Sequence, residues 1–278
     1  MNSKRILLSP PHMGGTEPTY IAQAFQDNWI APAGPHIDLF ENRLVDFLDE
    51  KSQVVALNSG TAAIHLGLLL LGVQKDDVVL CQSLTFIASV NPVLYLGATP
   101  VFIGSEKETW NLCPIALEEA ILNQLHKGIQ PKAIVVVHLY GMPAKMNEII
   151  TISKKYNIPI LEDAAEALGS AYQGKPCGTL GDFGVFSFNG NKIITTSGGG
   201  ALICHSEIDK KKAVFLATQA KEDAAHYEHM QVGYNYRMSN VAASIGLGQL
   251  EVLSEHIQHR KQNHLFYKQL FENLSEVT

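Results

Sequence analysis

The chain has 278 residues, of which 46% are hydrophobic and 17% charged, with a net charge of -6 at pH 7. This is an ordinary globular balance, and its sign argues against nucleic acid or an anionic membrane surface as the main partner. No secretory signal precedes Ser9, the apolar run near 66–73 is too short to span a bilayer, and Cys81, Cys113, Cys177 and Cys204 show no C-x-x-C spacing, so a soluble cytoplasmic protein with free thiols is expected.

In chain order, a Pro/Gly-rich arm (Ser9 to Gly15) precedes a helical pattern from Glu17 to Asn28. A second helix carries Ile37, Phe40, Leu44, Phe47 and Leu48 on one face. A short strand, 53–57, runs into Asn58-Ser59-Gly60-Thr61-Ala62-Ala63 and a strongly apolar helix to Leu71. From Val78 strands and helices alternate: strands at 78–81, 100–103, 133–138 and 158–161, and helices at 86–96 (with a kink expected at Asn91-Pro92), 115–125 and 146–156. Doubly buried strands alternating with helices predict an α/β fold with a mostly parallel sheet, whose ligands sit at the carboxyl ends of the strands. A strand from Phe183 to Phe188 is followed by Lys192 and the triple glycine 198–200, then a strand at 202–204 and a helix at 208–220. A long helical pattern finally runs from Asn240 to about Leu274. Neither repeats nor low-complexity tracts are visible.

The polar residues that follow the strands carry the chemistry. Ser59, Gly60 and Thr61 open a helix, where free N–H groups and the positive dipole end suit an anion; simple N-capping explains the same residues. Asp163 ends an apolar strand and could hold a protonated ring nitrogen, or could cap a following helix. Phe86 could stack on a flat ligand or belong to the core. Alternation puts Val185 and Ser187 on one strand face and Phe186 and Phe188 on the other, so a hydroxyl lies in a buried run and needs a partner. Lys192 is either a solvated turn residue or, held in a desolvated place, an amine nucleophile. His226 and His229, and again His256 and His259, are spaced by three without a carboxylate or cysteine cluster beside them, so no metal site is expected. Neither G-x-G-x-x-G after the first strand nor G-x-x-x-x-G-K-[ST] occurs.

Taken together, these residue types match the needs of pyridoxal phosphate. The helix end and Ser187 suit its phosphate, Phe86 its ring face, Asp163 its pyridinium nitrogen and Lys192 its aldehyde. Lys192, once displaced by an incoming amine, becomes a base that moves a proton.

The stretches Asn58–Ala63, Leu161–Glu166, Gly181 to Lys192 and Gly233–Met238 also resemble the fold-type I sugar aminotransferases of the DegT/DnrJ/EryC1/StrS group. Within it, Leu8–Gly15, Ser187–Gly200 and His226–His229 look most like the aminotransferases of bacillosamine and legionaminic acid biosynthesis. The resemblance implies a seven-stranded-type sheet in an aspartate aminotransferase-like large domain, over residues 1–240 with the arm. It implies that 241–278 are a connecting helix and the start of a truncated C-terminal domain, since the family's chains continue for roughly another hundred residues. It further implies L-glutamate (giving 2-oxoglutarate) as amino donor and a UDP-linked 4-keto-6-deoxy-N-acetylhexosamine as acceptor, for cell-surface glycan sugars. Gly60, Thr61, Ala62 and Ser187 would hold the phosphate, and Glu166 would lie near the ring hydroxyl. Asn235 would reach the other subunit's cofactor across a homodimer. Some relatives carry histidine in place of the lysine and dehydrate their substrate; Lys192 favours transamination. The alternative is a truncated, non-catalytic cofactor- or nucleotide-sugar-binding protein on the same scaffold.

Overall fold

A computed structural model describes residues 6–49 and 51–274. Apolar strands of five residues or fewer supply the sheet: β1 (Gln53–Leu57), β2 (Val78–Gln82), β3 (Thr99–Ile103), β4 (Ala133–Val137) and β5 (Ile160–Asp163). A small hairpin, β6 (Ala171–Tyr172) with β7 (Lys175–Pro176), stands apart, and β8 (Phe183–Ser187) and β9 (Gly200–Cys204) complete the main sheet. Its order is β1-β9-β8-β5-β4-β2-β3, seven strands in which β9 alone runs against its neighbours. The sheet is therefore mostly parallel, as the alternating pattern predicts.

Helices cover both faces because nearly every strand residue is apolar and buried. On one face α3 (Gly60–Leu70) and α7 (Glu207–Ala217) pack over Val55, Val79, Val135, Leu161, Val185 and Leu202. On the other, α2 (Pro35–Leu48) and α8 (Asn240–Phe271) cover Val54, Ala56, Phe186, Ala201 and Ile203. That same face is closed further along by α5 (Pro114–His126) and α6 (Met146–Tyr156), over Leu80, Ile134, Val136 and Ile160. The expected split of the Lys192-bearing strand holds: Val185 lies in the first cluster, Phe186 and Phe188 in the second. Helix α1 (Glu17–Gln26) lies along α8, and the side chain of Asn240 ties the two ends of this layer together, accepting from His36 N–H at 2.9 Å and donating to Trp29 O at 2.8 Å.

The helix expected over 86–96 is instead a 3₁₀ turn, Ile87–Ser89, followed by the short α4 (Asn91–Tyr95). Pro92 explains the break, since it has no N–H to donate and disfavours a helical residue before it. Among the described residues no helix is long and apolar enough to cross a membrane.

Two glycines of the run 198–200 sit where the chain packs closely. A Cβ on Gly200 would stand 2.4 Å from Gly60 N, and one on Gly199 would strike Thr196 Oγ1 and Met238 Cε. β9 thus lies directly against the Ser59–Gly60 backbone. Gly200→Ala is expected to cost about 1–3 kcal/mol, read as a lower midpoint in urea unfolding.

Candidate active site

Every strand except β9 delivers its carboxyl end to one edge, and the candidate residues collect there. Ser59 caps α3, accepting from Ala62 N–H at 3.0 Å. Ala62 N–H, expected at the phosphate, donates to this cap in the structure. Gly60 and Thr61 present the first two N–H groups of the helix. These have no intrahelical partner and no acceptor elsewhere among the described residues. Ser187 stands beside them: a Cβ on Gly60 would meet Ser187 Cβ at 3.0 Å. The Ser187 side chain is half-buried and has no hydrogen-bond partner among the described residues, so the partner expected for it is not supplied by the protein. Two free N–H groups, a free hydroxyl and a tightly packed glycine form a cradle suited to an anion.

Asp163 is buried at the end of β5, and no helix follows it, so it is not a helix cap. Ser89 Oγ donates to its Oδ2 at 2.6 Å and Ala165 N–H to its Oδ1 at 3.1 Å. Burial pushes its carboxyl above the usual range, while the bonds from Ser89 and Ala165 and the charge of Lys192 pull the other way. A cationic N–H would offset that desolvation. Ser89 is also 2.7 Å from Thr85 Oγ1, and its N–H bonds Phe86 O at 3.0 Å. The same turn leaves the Phe86 ring 75% exposed, which rules out a core role and leaves a flat face for a ligand.

Lys192 is mostly buried, with its Nζ 3.0 Å from Glu166 Oε1. The second oxygen of Glu166 accepts from Tyr140 N–H at 3.2 Å, so the carboxylate holds the amine to the β4 edge. Tyr140 itself has φ 52 and an exposed ring. Asn235 is apart from this group. Its carbonyl accepts from Asn58 Nδ2 at 3.1 Å and its side chain faces outward.

Two features were given no role from the sequence. Ser89 is one; its signal was its position one turn past Phe86. The other is Glu162, the neighbour of Asp163. It is fully buried on the opposite side of the strand, where it accepts from His138 Nε2 at 2.6 Å, from Leu180 and Gly181 N–H at 2.8 and 3.0 Å, and from Gly178 N–H. Ala144 N–H donates to His138 Nδ1 at 3.0 Å, which fixes the proton on Nε2. Although burial alone would raise the Glu162 carboxyl, these donors hold it below the usual range. Cys177 joins His138 and Glu162 in the one possible metal-ligating group among the described residues. Their atoms are committed to this network, and burial, with Glu162 adding to it, pushes the Cys177 thiol up to about 12, away from the thiolate a metal needs.

Ser89→Ala is expected to remove a donor that favours the charged carboxylate. The acid limb of pyridoxal phosphate association should then move to higher pH, with affinity falling roughly 3- to 10-fold; Ser89→Thr should restore both, as read by a cofactor titration across pH.

Free helix-end amides beside a serine, a buried strand-end carboxylate and a mostly buried lysine on a mostly parallel sheet define a pyridoxal-phosphate enzyme of fold type I. The family model described as "DegT/DnrJ/EryC1/StrS aminotransferase family" matches residues 11–278, and the chain belongs to this family. EpsN of Bacillus subtilis (strain 168), whose name gives a provisional assignment as a pyridoxal phosphate-dependent aminotransferase, is 52% identical over 274 residues, which are 99% of this chain and 70% of that one. A GDP-perosamine synthase of Escherichia coli O157:H7 is 38% identical over 99% of this chain and 73% of its own. Among solved structures, the provisionally assigned sugar aminotransferase Spr1654 of Streptococcus pneumoniae in its PLP form has a TM-score of 0.88 and 29% identity, over 97% of this chain and 72% of that one. The protein is a pyridoxal-phosphate-dependent sugar aminotransferase.

Proposed function

We propose that the chain transfers the amino group of L-glutamate to the 4-keto group of a UDP-linked 4-keto-6-deoxy-N-acetylhexosamine, releasing 2-oxoglutarate, for the assembly of cell-surface glycan. The observation that carries this reading is the convergence of Lys192, Asp163 and the Gly60–Thr61–Ser187 cradle at one edge of the sheet. Gly60 and Thr61 N–H and Ser187 Oγ would hold the phosphate, Phe86 would cover a ring face, and the Asp163 carboxylate would pair with the ring nitrogen. When bound, pyridoxal phosphate supplies a cationic ring that withdraws electrons from the carbon bearing the amine. Asp163 would keep that ring nitrogen protonated, while Ser89 and Ala165 hold the carboxylate in place. Lys192 Nζ would serve as the base that takes the proton from the donor's α-carbon. Glu166, 3.0 Å away, accepts a charge-assisted hydrogen bond from the ammonium and orients it.

The nucleotide is the finer part of the reading. The sequence motifs resemble UDP-sugar enzymes, whereas the perosamine synthase relative is named for a GDP sugar. A two-step assay decides it: glutamate should bleach the visible band of the cofactor-loaded enzyme, and a keto sugar should restore it. Restoration by the GDP-linked but not the UDP-linked keto sugar would overturn the acceptor; a band that glutamate leaves unchanged would overturn the donor. We also place Asn235 across a homodimer at the neighbouring subunit's phosphate, so Asn235→Ala should weaken cofactor binding while the protein keeps its dimeric mass in light scattering.

A further inference from the structure

Between β8 and β9 the chain runs through 188–199 without helix or strand, and Lys192 stands in that segment. Its backbone groups therefore need partners from outside any regular ladder. Three of them, spaced around the lysine, find side chains. Ser9 Oγ of the N-terminal arm donates to Asn191 O at 2.9 Å, His256 Nδ1 lies 2.9 Å from Ile193 O, and Thr195 N–H donates to Gln249 Oε1 at 3.1 Å. A carbonyl can only accept, so His256 carries its proton on Nδ1. The carbonyls on either side of Lys192 are thus both held.

Gln249 and His256 are seven residues apart on α8, two turns along one face. Gln249 is buried, and its Nε2 donates to Glu17 Oε1 at 2.6 Å and to His12 O at 2.7 Å. Those two acceptors assign the amide nitrogen and leave Oε1 for Thr195. Glu17 in turn accepts from Gly14 and Gly15 N–H at 2.7 and 2.8 Å, which ties this part of α8 to the arm. His256 Nε2 meets His12 Nδ1 at 3.1 Å. α8 therefore grips the backbone beside Lys192, while Glu166 holds the amine at the far end of the same side chain. Misplacing a reacting atom by a fraction of an ångström is expensive in rate, so both ends matter.

We propose that His256 and Gln249 are positioning residues: from α8 they set the backbone of the Lys192 loop so that Nζ reaches the cofactor's aldehyde and the donor's α-carbon. Both act through Lys192, and neither touches a reacting atom. The inference rests on the reading above that Lys192 is the reacting amine, and the test separates the two.

His256→Asn keeps an N–H donor where Nδ1 stands, whereas His256→Gln moves it out toward the place of Nε2, away from Ile193 O. After the cofactor-free protein is mixed with pyridoxal phosphate, His256→Gln should form the visible band about 10-fold more slowly, and His256→Asn close to the parent rate. In the glutamate half-reaction, kcat of His256→Gln should fall by a similar factor, with KM within about 2-fold of the parent. Gln249→Met, which removes the acceptor for Thr195 N–H, should also slow the band. A lysine-free background tells positioning from general loosening: added to Lys192→Ala, His256→Gln should leave pyridoxal phosphate affinity unchanged, because its effect runs through the missing amine. A parent-like band rate in His256→Gln, or a His256→Asn protein as slow as it, overturns the role of His256; a parent-like rate in Gln249→Met overturns that of Gln249. An equal loss of affinity with and without Lys192 overturns both, since it marks a looser fold. A band that persists in Lys192→Ala overturns instead the reading of Lys192, and this inference with it.

Discussion

Replacing Lys192 by alanine is expected to abolish the visible band of the cofactor-loaded enzyme and to lower kcat by about 10⁴-fold or more. The size of the loss follows from two tasks on one atom. On the proposed reading Nζ would be both the amine that holds the aldehyde and the base at the donor's α-carbon, and among the described residues no other amine bonds Glu166. Phosphate-cradle contacts do not involve the lysine, so the variant should still bind pyridoxal phosphate, only without the band. A band that persists in Lys192→Ala would show that another amine holds the aldehyde, and the assignment would fail.

The second large effect is expected at Asp163. Asp163→Asn keeps the shape and one acceptor but removes the charge proposed to face the ring nitrogen. Ala165 N–H and Ser89 Oγ hold the two carboxylate oxygens from the protein side; the amide can keep its oxygen on Ala165 N–H and donate to Ser89 Oγ, whose proton can turn to Thr85 Oγ1. The expected loss therefore comes from the missing counter-charge to the ring nitrogen. A fall in kcat of roughly 10²–10³-fold is expected, measured in the glutamate half-reaction by stopped flow. A variant as fast as the parent would show that ring protonation does not depend on this carboxylate.

Much of the frame was legible because its signals are local. Apolar runs such as Ala133–Val137 are buried on both sides, and the alternation around Phe186 assigns the two faces of β8 correctly. Strand ends then mark the ligand edge, and Asp163, Ser187 and Lys192 follow from it. Long-range detail was not legible. That Ala62 N–H is taken by Ser59 depends on a rotamer, and that Ser187 lacks a protein partner depends on what the fold leaves beside it. The pairing of Glu162 with His138 joins two strand ends 24 residues apart, with no pattern in the sequence between them. Glycine reports close approach without naming the neighbour, which at Gly200 is the chain's own Ser59–Gly60 turn. His226 and His229 keep no assigned task; His229 Nδ1 lies 2.9 Å from Gln219 O and His226 faces Glu228 at 3.8 Å.

The three-residue turn at Ile87–Ser89 has a consequence for how this site can vary. Phe86, just before it, offers its ring to the open edge, while Ser89, at its end, grips Asp163 from below. The two are joined by the Ser89 N–H bond to Phe86 O, so a shift of either moves the other. Substitutions at the two positions should therefore be epistatic: a double mutant should depart from the sum of its single effects by about 0.5 kcal/mol or more in cofactor affinity. A library that randomises one position while fixing the other will mostly sample misaligned pairs. Diversifying Phe86 and Ser89 as one unit is the route by which this face of the site could be remodelled.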